Sequence, residues 1–532
     1  MNIEERKELA ELLFPNIKHD RNYYENMYPE RTLKKDAMVT RFGPSPTGFV
    51  HMGSLLVSFI NSIFAKQSNG VFFLRIEDTD QKRAVENGVE GIYNDLKAFE
   101  INPSESPIIG GNYGPYIQSK RTEIYQTYVK DLIIKGLAYP CFMTEDEIAS
   151  IKEEQEINKT KLGIYGIYAA DRDLSLEEIK QKIASNEEYV IRLKSPGDAN
   201  KQVEIIDCIK GKMKFPEHDM DTVLLKKDGT PTYHLAHAID DHLMHTTHVI
   251  RGDEWVSSLP LHIQLFNLLG FTHPKYAHIA PLTKKENGNT RKLSKRKDPE
   301  AAVSYYDEMG IPIDAVKLYL ATILNSNFEE WRLQNMNANI FDFKLSFDKM
   351  TLDGALFDLA KVKNICKERL ARLNKEEFTK KAYEYACKYD ENLKLLIEKD
   401  KEYFKAIINI EREKENPRKD YETFKDIYPI INFFYNDLYE ELLQNELPFN
   451  RERFDNEVII HILSNFKNNM GLCFANEEFF REEIVNGSVK KVKVIEELFD
   501  DNIYIVYKKG KNIININKFI KILKKQYEEE LQ

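Results

Sequence analysis

The sequence predicts an α/β fold: a doubly wound parallel-sheet domain with an α/β insertion, followed by an all-α C-terminal half. One observation is a strand, loop, helix and strand over residues 37–76, the pattern of a βαβ unit. The other is the sequence after Trp331, which becomes charged and helical in its spacing. The length of 532 residues allows roughly three or four domains.

The predicted βαβ unit begins at a strand over residues 37–42. A loop rich in Pro and Gly follows at 43–48, and then a helix at 53–67 with apolar residues at helical spacing. The second strand, 71–76, is apolar on both faces, as a buried parallel strand should be. This arrangement places a helix start directly after a buried strand, which is a common place for phosphate binding.

The remaining elements define the domain boundaries. Helices are predicted at 121–135, 144–155 and 259–269, and strands at 189–193, 222–225, 231–235 and 248–250. We therefore predict an N-terminal extension at 1–36, the two halves of the doubly wound domain at 37–117 and 237–284, an inserted domain at 118–236, a domain with a polar loop at 285–370, and a helical region at 371–532. The lysine-rich stretch 490–532 is either a solvated face or a surface for nucleic acid.

Composition narrows the class of protein. With 76 Lys and Arg against 86 Asp and Glu, the net charge of −10 argues against a protein that coats nucleic acid, although a basic groove can still exist locally. The five cysteines show no zinc-ligand spacing, so we expect reduced thiols and no zinc. The charged N-terminus and the lack of a long apolar run predict a cytoplasmic protein without membrane contact. We also expect a monomer.

The first candidate motif is Arg41-Phe-Gly-Pro-Ser-Pro-Thr-Gly-Phe-Val-His51-Met-Gly-Ser54. Its glycines, Gly48 and Gly53, allow the backbone to approach a ligand closely, and the helix start offers free N–H groups to a phosphate. His51 can donate a hydrogen bond to a phosphate oxygen as charge develops there. The alternative interpretation is a histidine that only caps the helix.

The second candidate motif is Lys292-Leu-Ser-Lys295-Arg296, inside the polar segment 286–297. Clustered cations on a mobile loop can close over a triphosphate and neutralise the charge of the leaving pyrophosphate. The alternative interpretation is an ordinary solvated loop.

Three charged residues follow predicted strands. Arg41 ends the first strand, Glu77 follows the second, and Arg251 follows the strand 248–250. The carboxyl ends of parallel strands share one sheet edge, so we expect the three side chains to converge there. For Arg251 the alternative is a structural salt bridge with Asp253 or Glu254.

The two motifs together resemble the HIGH and KMSKS signatures of class I aminoacyl-tRNA synthetases. The specific form resembles glutamyl-tRNA synthetases in the strings RFGPSPTG, LRIEDTD, PTYHLA, DDHLM, THVIRGDEW and KLSKRK, in that order. The resemblance covers about residues 37–325 and is weaker beyond. It implies a Rossmann-type catalytic domain.

The resemblance also implies an ATP site, a glutamate site and a tRNA partner, tRNA(Glu). It implies that the inserted domain at 118–236 binds the acceptor stem, that the domain at 285–370 contacts the stem, and that the helical region at 371–532 binds the anticodon. The implied catalytic residues are His51, Lys292 and Lys295, with Mg²⁺ carried by the phosphates of ATP. The implied ATP contacts are Pro44, Gly48, His51, Gly53, Ser54, Lys292, Ser294, Lys295 and Arg296. The implied L-glutamate contacts are Arg41, Ser45, Glu77, Tyr233, His237 and Arg251, with Arg41 and Arg251 on the carboxylates and Glu77 on the ammonium group.

Several alternatives to a glutamate-specific ligase stay open. The enzyme could also charge tRNA(Gln), or the chain could be an inactive tRNA-binding regulator. A transferase acting on a tRNA base would resemble the catalytic domain alone, and a nucleotidyltransferase with a small acceptor would not need the Arg41, Glu77 and Arg251 set. The resemblance assigns no role to residues 1–36 and places no anticodon contact on a named residue.

Overall fold

The computed structural model describes residues 1–46, 50–80, 85–286, 288–294, 296–336 and 338–438, and the backbone of three strands further along. The chain divides into two compact units, residues 1–365 and 366–532. Among the described residues, no helix is long and apolar enough to span a bilayer.

The first unit mixes helices with short strands, whereas the second is mainly helical where it is described. The helices are α1 (Ile3–Leu13), α2 (Arg21–Met27), α3 (Met52–Gln67), α4 (Gly88–Ala98), α5 (Thr122–Ile134), α6 (Glu145–Ile157), α7 (Leu176–Ala184), α8 (Tyr233–Leu243), α9 (Leu259–Leu269), α10 (Ser304–Glu308), α11 (Ile313–Leu324), α12 (Phe328–Gln334), α13 (Leu359–Arg372), α14 (Lys375–Tyr389), α15 (Glu391–Lys399), α16 (Lys401–Ile408) and α17 (Ile427–Ile431). The strands are β1 (Val39–Phe42), β2 (Val71–Leu74), β3 (Ala138–Cys141), β4 (Val190–Leu193), β5 (Gln202–Asp207), β6 (Gly211–Pro216), β7 (Val223–Leu225), β8 (His248–Gly252), β9 (Lys275–Ile279), β10 (Leu282–Glu286), β11 (Asn289–Lys292), β12 (Ala355–Leu356), β13 (Cys473–Asn476), β14 (Val489–Lys493) and β15 (Ile503–Lys508).

Parallel strands from two parts of the chain form the central sheet. β1 pairs in parallel with β2, and β8 pairs in parallel with β9. Thr247, just before β8, joins the two pairs, because its backbone N–H donates to the Val39 carbonyl over 3.0 Å and its hydroxyl accepts from the Val39 N–H over 2.8 Å. The chain therefore leaves the sheet in opposite directions on either side of the β1–β8 contact, which is where open α/β sheets bind ligands.

The insertion contributes to two sheets. β3, β4 and β7 form a separate antiparallel sheet. The hairpin β5–β6 instead extends the β8–β9 pair, with Asp207 on β5 opposite Tyr276 on β9. Residues of the insertion thus reach the edge of the central sheet, beside Arg251.

One predicted strand is wrong. Residues 231–235 were expected to form a strand, but α8 begins at Tyr233, and Pro231 makes only an isolated bridge to Leu225. The helix is favoured because buried apolar residues recur at helical spacing: Leu235, Ala236, Ala238, Ile239 and Leu243. Tyr233 is the first residue of this helix and lies near the carboxyl edge of the sheet.

The N-terminal extension packs on the first unit as two helices. A capping box between Asn2 and Glu5 starts α1, and its buried Leu9 and Leu13 join the core beside α5. Arg31 forms a two-pronged ion pair with Glu105, at 2.7 and 2.9 Å. Residues 1–36 are therefore an integral part of this unit's packing.

The predicted α/β N-terminal part and helical C-terminal half are confirmed. The second unit contains α14 to α17, but β13, β14 and β15 also form an antiparallel sheet, which an all-α prediction did not include. The run Ile503-Tyr-Ile-Val-Tyr-Lys508 is rich in β-branched and aromatic residues, which favour strands over helices. The side chains of the lysine-rich stretch 490–532 lie outside the described residues.

Candidate active site

A cavity of about 510 Å³ opens at the carboxyl ends of β1, β2 and β8. The structure brings most of the predicted site residues to its walls. Those lining it are Arg41, Pro44, Ser45, His51, Gly53, Ser54, Glu77, Tyr233, Arg251 and Lys292. Both sequence motifs therefore contribute to one cavity, since His51 lies at the start of α3 and Lys292 at the end of β11.

Other predicted site residues do not line this cavity. His237 is completely buried behind Tyr233, and its ring is stacked on the Tyr233 ring at 5.9 Å between centroids. Ser294 and Arg296 are not among the lining residues and lie in the loop after Lys292. Gly48 and Lys295 lie outside the described residues.

His51 both caps α3 and lines the cavity. The Ser54 backbone N–H donates to His51 Nδ1 over 3.1 Å, so the proton of the neutral ring sits on Nε2. Nε2 lies 3.0 Å from the Ser54 hydroxyl. Gly53 allows this conformation, because a Cβ atom there would lie 3.1 Å from the imidazole. His51 therefore caps the helix and lines the cavity at the same time, so the capping interpretation does not exclude a contact with a ligand.

Arg41 is held by a buried acidic residue, Asp241 on α8. The Arg41 Nε atom lies 3.2 Å from both Asp241 oxygens, and Arg75 Nη1 lies 2.8 Å from one of them. Burial alone would raise the Asp241 pKa, but the two guanidinium groups and His237 hold that pKa well below its usual range. Arg41 is thus fixed in place as a cation at the cavity wall.

Glu77 is the most buried of the three acidic residues that line the cavity, which also include Asp80 and Glu254. It accepts a hydrogen bond from Arg75 Nη2 over 3.0 Å, and burial raises its pKa despite the nearby Arg75 and Arg41. The Glu77 carboxylate passes so close to Gly43 that a Cβ atom there would lie 2.3 Å from Oε1. A carboxylate in this position can accept hydrogen bonds from a ligand ammonium group.

Arg251 is the second buried arginine of the wall, only 5% exposed. Its three nitrogens contact three neutral acceptors: Nη1 lies 3.1 Å from the Tyr233 hydroxyl, Nε lies 3.0 Å from His278 Nε2, and Nη2 lies 3.1 Å from His262 Nδ1. The alternative of a salt bridge with Asp253 or Glu254 does not hold among the described residues. The guanidinium therefore keeps its charge available to a ligand.

Aromatic rings close the side of the cavity around Arg251. Trp255 packs on Tyr233 with 4.1 Å between ring centroids, and the Arg251 guanidinium lies 5.8 Å from the Trp255 ring. Tyr276 flanks Arg251 on the other side at 5.2 Å. These rings exclude water from the guanidinium, which strengthens its attraction for an anion.

The loop after β11 is anchored by Asp298. This carboxylate is 2% exposed and accepts hydrogen bonds from the Ser294 backbone over 2.9 Å and from Arg291 Nη1 over 2.6 Å. The Arg291 hydrogen bonds lower the pKa of Asp298 strongly. Lys292 is 60% exposed and reaches Glu254 at 3.4 Å. The base of the loop is therefore fixed, while Lys292 stays at the open side of the cavity.

The sequence prediction missed the residues that hold these arginines. They are Arg75, Asp207, Asp241, His262 and His278, each at most 2% exposed. Arg75 and Asp241 do fall inside strings that resemble the family, and a charged residue inside an apolar strand or helix was a usable signal. Asp207 and His278 carry no local signal, because they meet across strands far apart in the chain.

The chain is similar in sequence and fold to known proteins. A family model described as the catalytic domain of class I tRNA synthetases (E and Q) matches residues 37–339. A glutamate–tRNA ligase of Clostridium beijerinckii is 48% identical over 448 residues, covering 83% of this chain and 81% of the relative. One from Acetivibrio thermocellus is 46% identical, covering 81% of this chain and 80% of the relative.

Solved structures of glutamate–tRNA ligases also match the fold of this chain. A glutamate tRNA ligase from Elizabethkingia meningosepticum, crystallised in complex with its amino acid, matches with a TM-score of 0.66 and 29% identity. The match covers 85% of this chain and 89% of that chain. A glutamate–tRNA synthetase from Elizabethkingia anophelis matches with a TM-score of 0.62 and 30% identity.

Proposed function

We propose that this chain, which belongs to the class I tRNA synthetases for glutamate and glutamine, attaches L-glutamate to tRNA(Glu) in two steps. A glutamate carboxylate oxygen first attacks the α-phosphorus of ATP, and pyrophosphate leaves. The terminal ribose hydroxyl of the tRNA then attacks the acyl carbon, and AMP leaves. Neither step needs a nucleophilic side chain, so the protein contributes positioning and charge stabilisation.

The observation that carries this proposal is the convergence of both motifs on one cavity beside two buried arginines. His51 and Lys292 line this cavity together with Arg41 and Arg251. Ligands that suit all four residues are an anionic phosphate chain and a small molecule with carboxylates. Glutamate and ATP together have this chemistry.

The roles at the glutamate end follow from charge. Arg251 reads the side-chain carboxylate, Arg41 meets the other carboxylate, and Glu77 accepts from the ammonium group. Tyr233 and Ser45 line the pocket, and His237 supports Tyr233 from behind. Because Glu77 is bonded to Arg75 and Arg41 to Asp241, both ends are held in place before the substrate arrives.

The roles at the ATP end follow from the two motifs. His51 donates from Nε2 to a phosphate oxygen, and the N–H groups at the start of α3 bind the phosphates. Pro44, Gly48, Gly53 and Ser54 are the further residues that we assign to the nucleotide. Lys292, Lys295, Ser294 and Arg296 close over the leaving pyrophosphate. Mg²⁺ is carried by the phosphates of ATP, where it neutralises their charge. Zinc is not part of this proposal.

The expected partners and compartment follow from the reaction. The chain acts on tRNA and glutamate without contact to a membrane, and we place it in the cytoplasm as a monomer. The relatives' names support neither an inactive regulator nor an enzyme that also charges tRNA(Gln). Light scattering of the purified protein measures its mass and would show a dimer directly.

Aminoacylation of total tRNA tests the proposed function. Purified protein is supplied with ATP, total tRNA and labelled glutamate or glutamine, and the charged tRNAs are then identified. We expect glutamate on tRNA(Glu) alone. Glutamate on tRNA(Gln) as well would establish the broader specificity. If neither amino acid is attached and no tRNA-dependent ATP–pyrophosphate exchange occurs, the chain is not a ligase.

A further inference from the structure

Arg251 is held differently from Arg41, Arg75 and Arg121, three other buried arginines of this unit. Arg75 and Arg121 each contact a carboxylate directly, at 2.8 Å to Asp241 and 2.7 Å to Asp240 respectively. Arg251 contacts two imidazoles and a phenol instead, and it forms no ion pair among the described residues. Its charge is therefore not neutralised by direct contact, although the guanidinium is almost completely buried.

The His278 contact fixes the proton on that ring. His278 sits directly beside Arg251 across the β8–β9 pair, and its Nε2 atom must accept from the Arg251 N–H. The ring proton therefore sits on Nδ1, which lies 2.7 Å from Asp207. Asp207 also accepts from three backbone N–H groups, those of Ile209 and Lys210 at 2.9 Å each and that of His278 at 3.1 Å. The Asp207 charge is thus one imidazole away from Arg251.

The His262 contact repeats this arrangement on α9. Its Nδ1 atom accepts from Arg251, so its proton sits on Nε2 and points to His234 Nδ1 at 2.9 Å. Burial holds the pKa of His262 well below its ordinary value, and neighbouring His237 and Arg251 lower it further. Burial also lowers the pKa of His278. Both rings are therefore neutral acceptors for Arg251.

His262, His278 and Tyr233 form a neutral cradle around the Arg251 guanidinium, and this cradle affects substrate choice. A buried cation without a partner is costly, and an incoming carboxylate relieves that cost whereas a carboxamide does not. A carboxylate in the cradle would do the opposite, because it would pair with Arg251 before the substrate arrives. The chemistry of the cradle thus decides whether the site prefers an acid or its amide.

We propose that His262 and the Asp207–His278 pair are positioning residues that make Arg251 select a side-chain carboxylate over a carboxamide. The neutral rings of His262 and His278 accept hydrogen bonds from the Arg251 guanidinium. The positive charge of Arg251 therefore stays available to the glutamate carboxylate. This inference rests on the proposed function, in which Arg251 reads the glutamate side chain.

A matched pair of variants separates charge from structure. His262→Gln supplies a neutral acceptor of similar reach, and His262→Glu supplies a charged one. ATP–pyrophosphate exchange with tRNA gives KM for glutamate and the inhibition constant for glutamine. We expect His262→Glu to raise KM for glutamate by about tenfold or more while glutamine inhibition changes by less than about threefold, and His262→Gln to keep both within about threefold.

The outcomes distinguish this inference from the proposed function. If the native protein shows no glutamate-dependent exchange, the proposed function fails. If the native protein is active and both variants lose glutamate equally, His262 acts only through packing and the inference is wrong. Thermal melting checks that each variant folds. Should either fail, His278→Gln and His278→Glu make the same comparison on the other ring, with the same result expected and the same equality overturning it.

Discussion

Removing the Arg251 guanidinium gives the most direct test of the glutamate site. In Arg251→Ala, the substrate carboxylate would enter a nearly dry pocket without its cation. Loss of one partner of a buried charge pair costs about 3–5 kcal/mol. At about 1.4 kcal/mol per factor of ten, kcat/KM for glutamate should fall by about two orders of magnitude or more. The KM for ATP should change less, since among the described residues the side-chain hydrogen bonds of Arg251 go to Tyr233, His262 and His278 and none goes to His51 or Lys292.

The assay is ATP–pyrophosphate exchange with tRNA present, at several glutamate concentrations. Arg251→Lys is a useful companion, because it keeps a charge but cannot reach Tyr233, His262 and His278 at once. We expect the lysine variant to lose most of the same activity. Arg418→Ala is the matched control, since that arginine is 38% exposed, pairs with Asp420 and lies in the other unit.

Near-normal glutamate kinetics in a folded Arg251→Ala protein would remove Arg251 from the site. Equal losses for glutamate and ATP would mean that the variant disturbs the whole cavity, so that the side-chain role would not follow. Circular dichroism and thermal melting of both arginine variants separate these results from unfolding.

Three further predictions concern the surroundings of the site. In Gly43→Ala the new Cβ would lie 2.3 Å from Glu77 Oε1. The overpacking cost of about 1–3 kcal/mol should raise KM for glutamate about five- to a hundredfold. Gly91→Ala is the control and should leave that KM unchanged, because its Cβ would have nothing within 4 Å. Asp241→Asn should lower the free energy of unfolding by about 3–5 kcal/mol in urea titrations, because two arginines lose their charged partner; the exposed Asp437→Asn is its control, and equal stability of the two would contradict the network. Buried neutral histidines should make the urea midpoint fall as the pH drops from about 6.5 to about 4, because the unfolded chain takes up protons there and the folded chain does not; a midpoint that stays constant over that range would refute it. Burial lowers the pKa from 6.5 to about 4 at His218, His234 and His248, and to about 3 at His237.

Local patterns in the sequence were sufficient for most of the fold. The helix predicted at 53–67 is α3, Met52–Gln67, and the helix predicted at 259–269 has the same bounds in α9. Both carry apolar residues on a continuous face, so periodicity alone marks them. The strand predicted at 231–235 is wrong because so short a stretch has no clear period, and the burial of apolar residues in α8 favoured a helix. The domain boundaries stay predictions.

The sequence by itself was sufficient to bring Arg41, Glu77 and Arg251 to the cavity, because each lies at or just after the end of a strand and parallel strands end at one edge of the sheet. Only the tertiary structure decided how each is held. Asp241 meets Arg41 from 200 residues away, and Asp207 reaches Arg251 through His278 on a third strand. Local spacing records the order of residues along one element, whereas the partner of a buried charge depends on which distant element packs beside it.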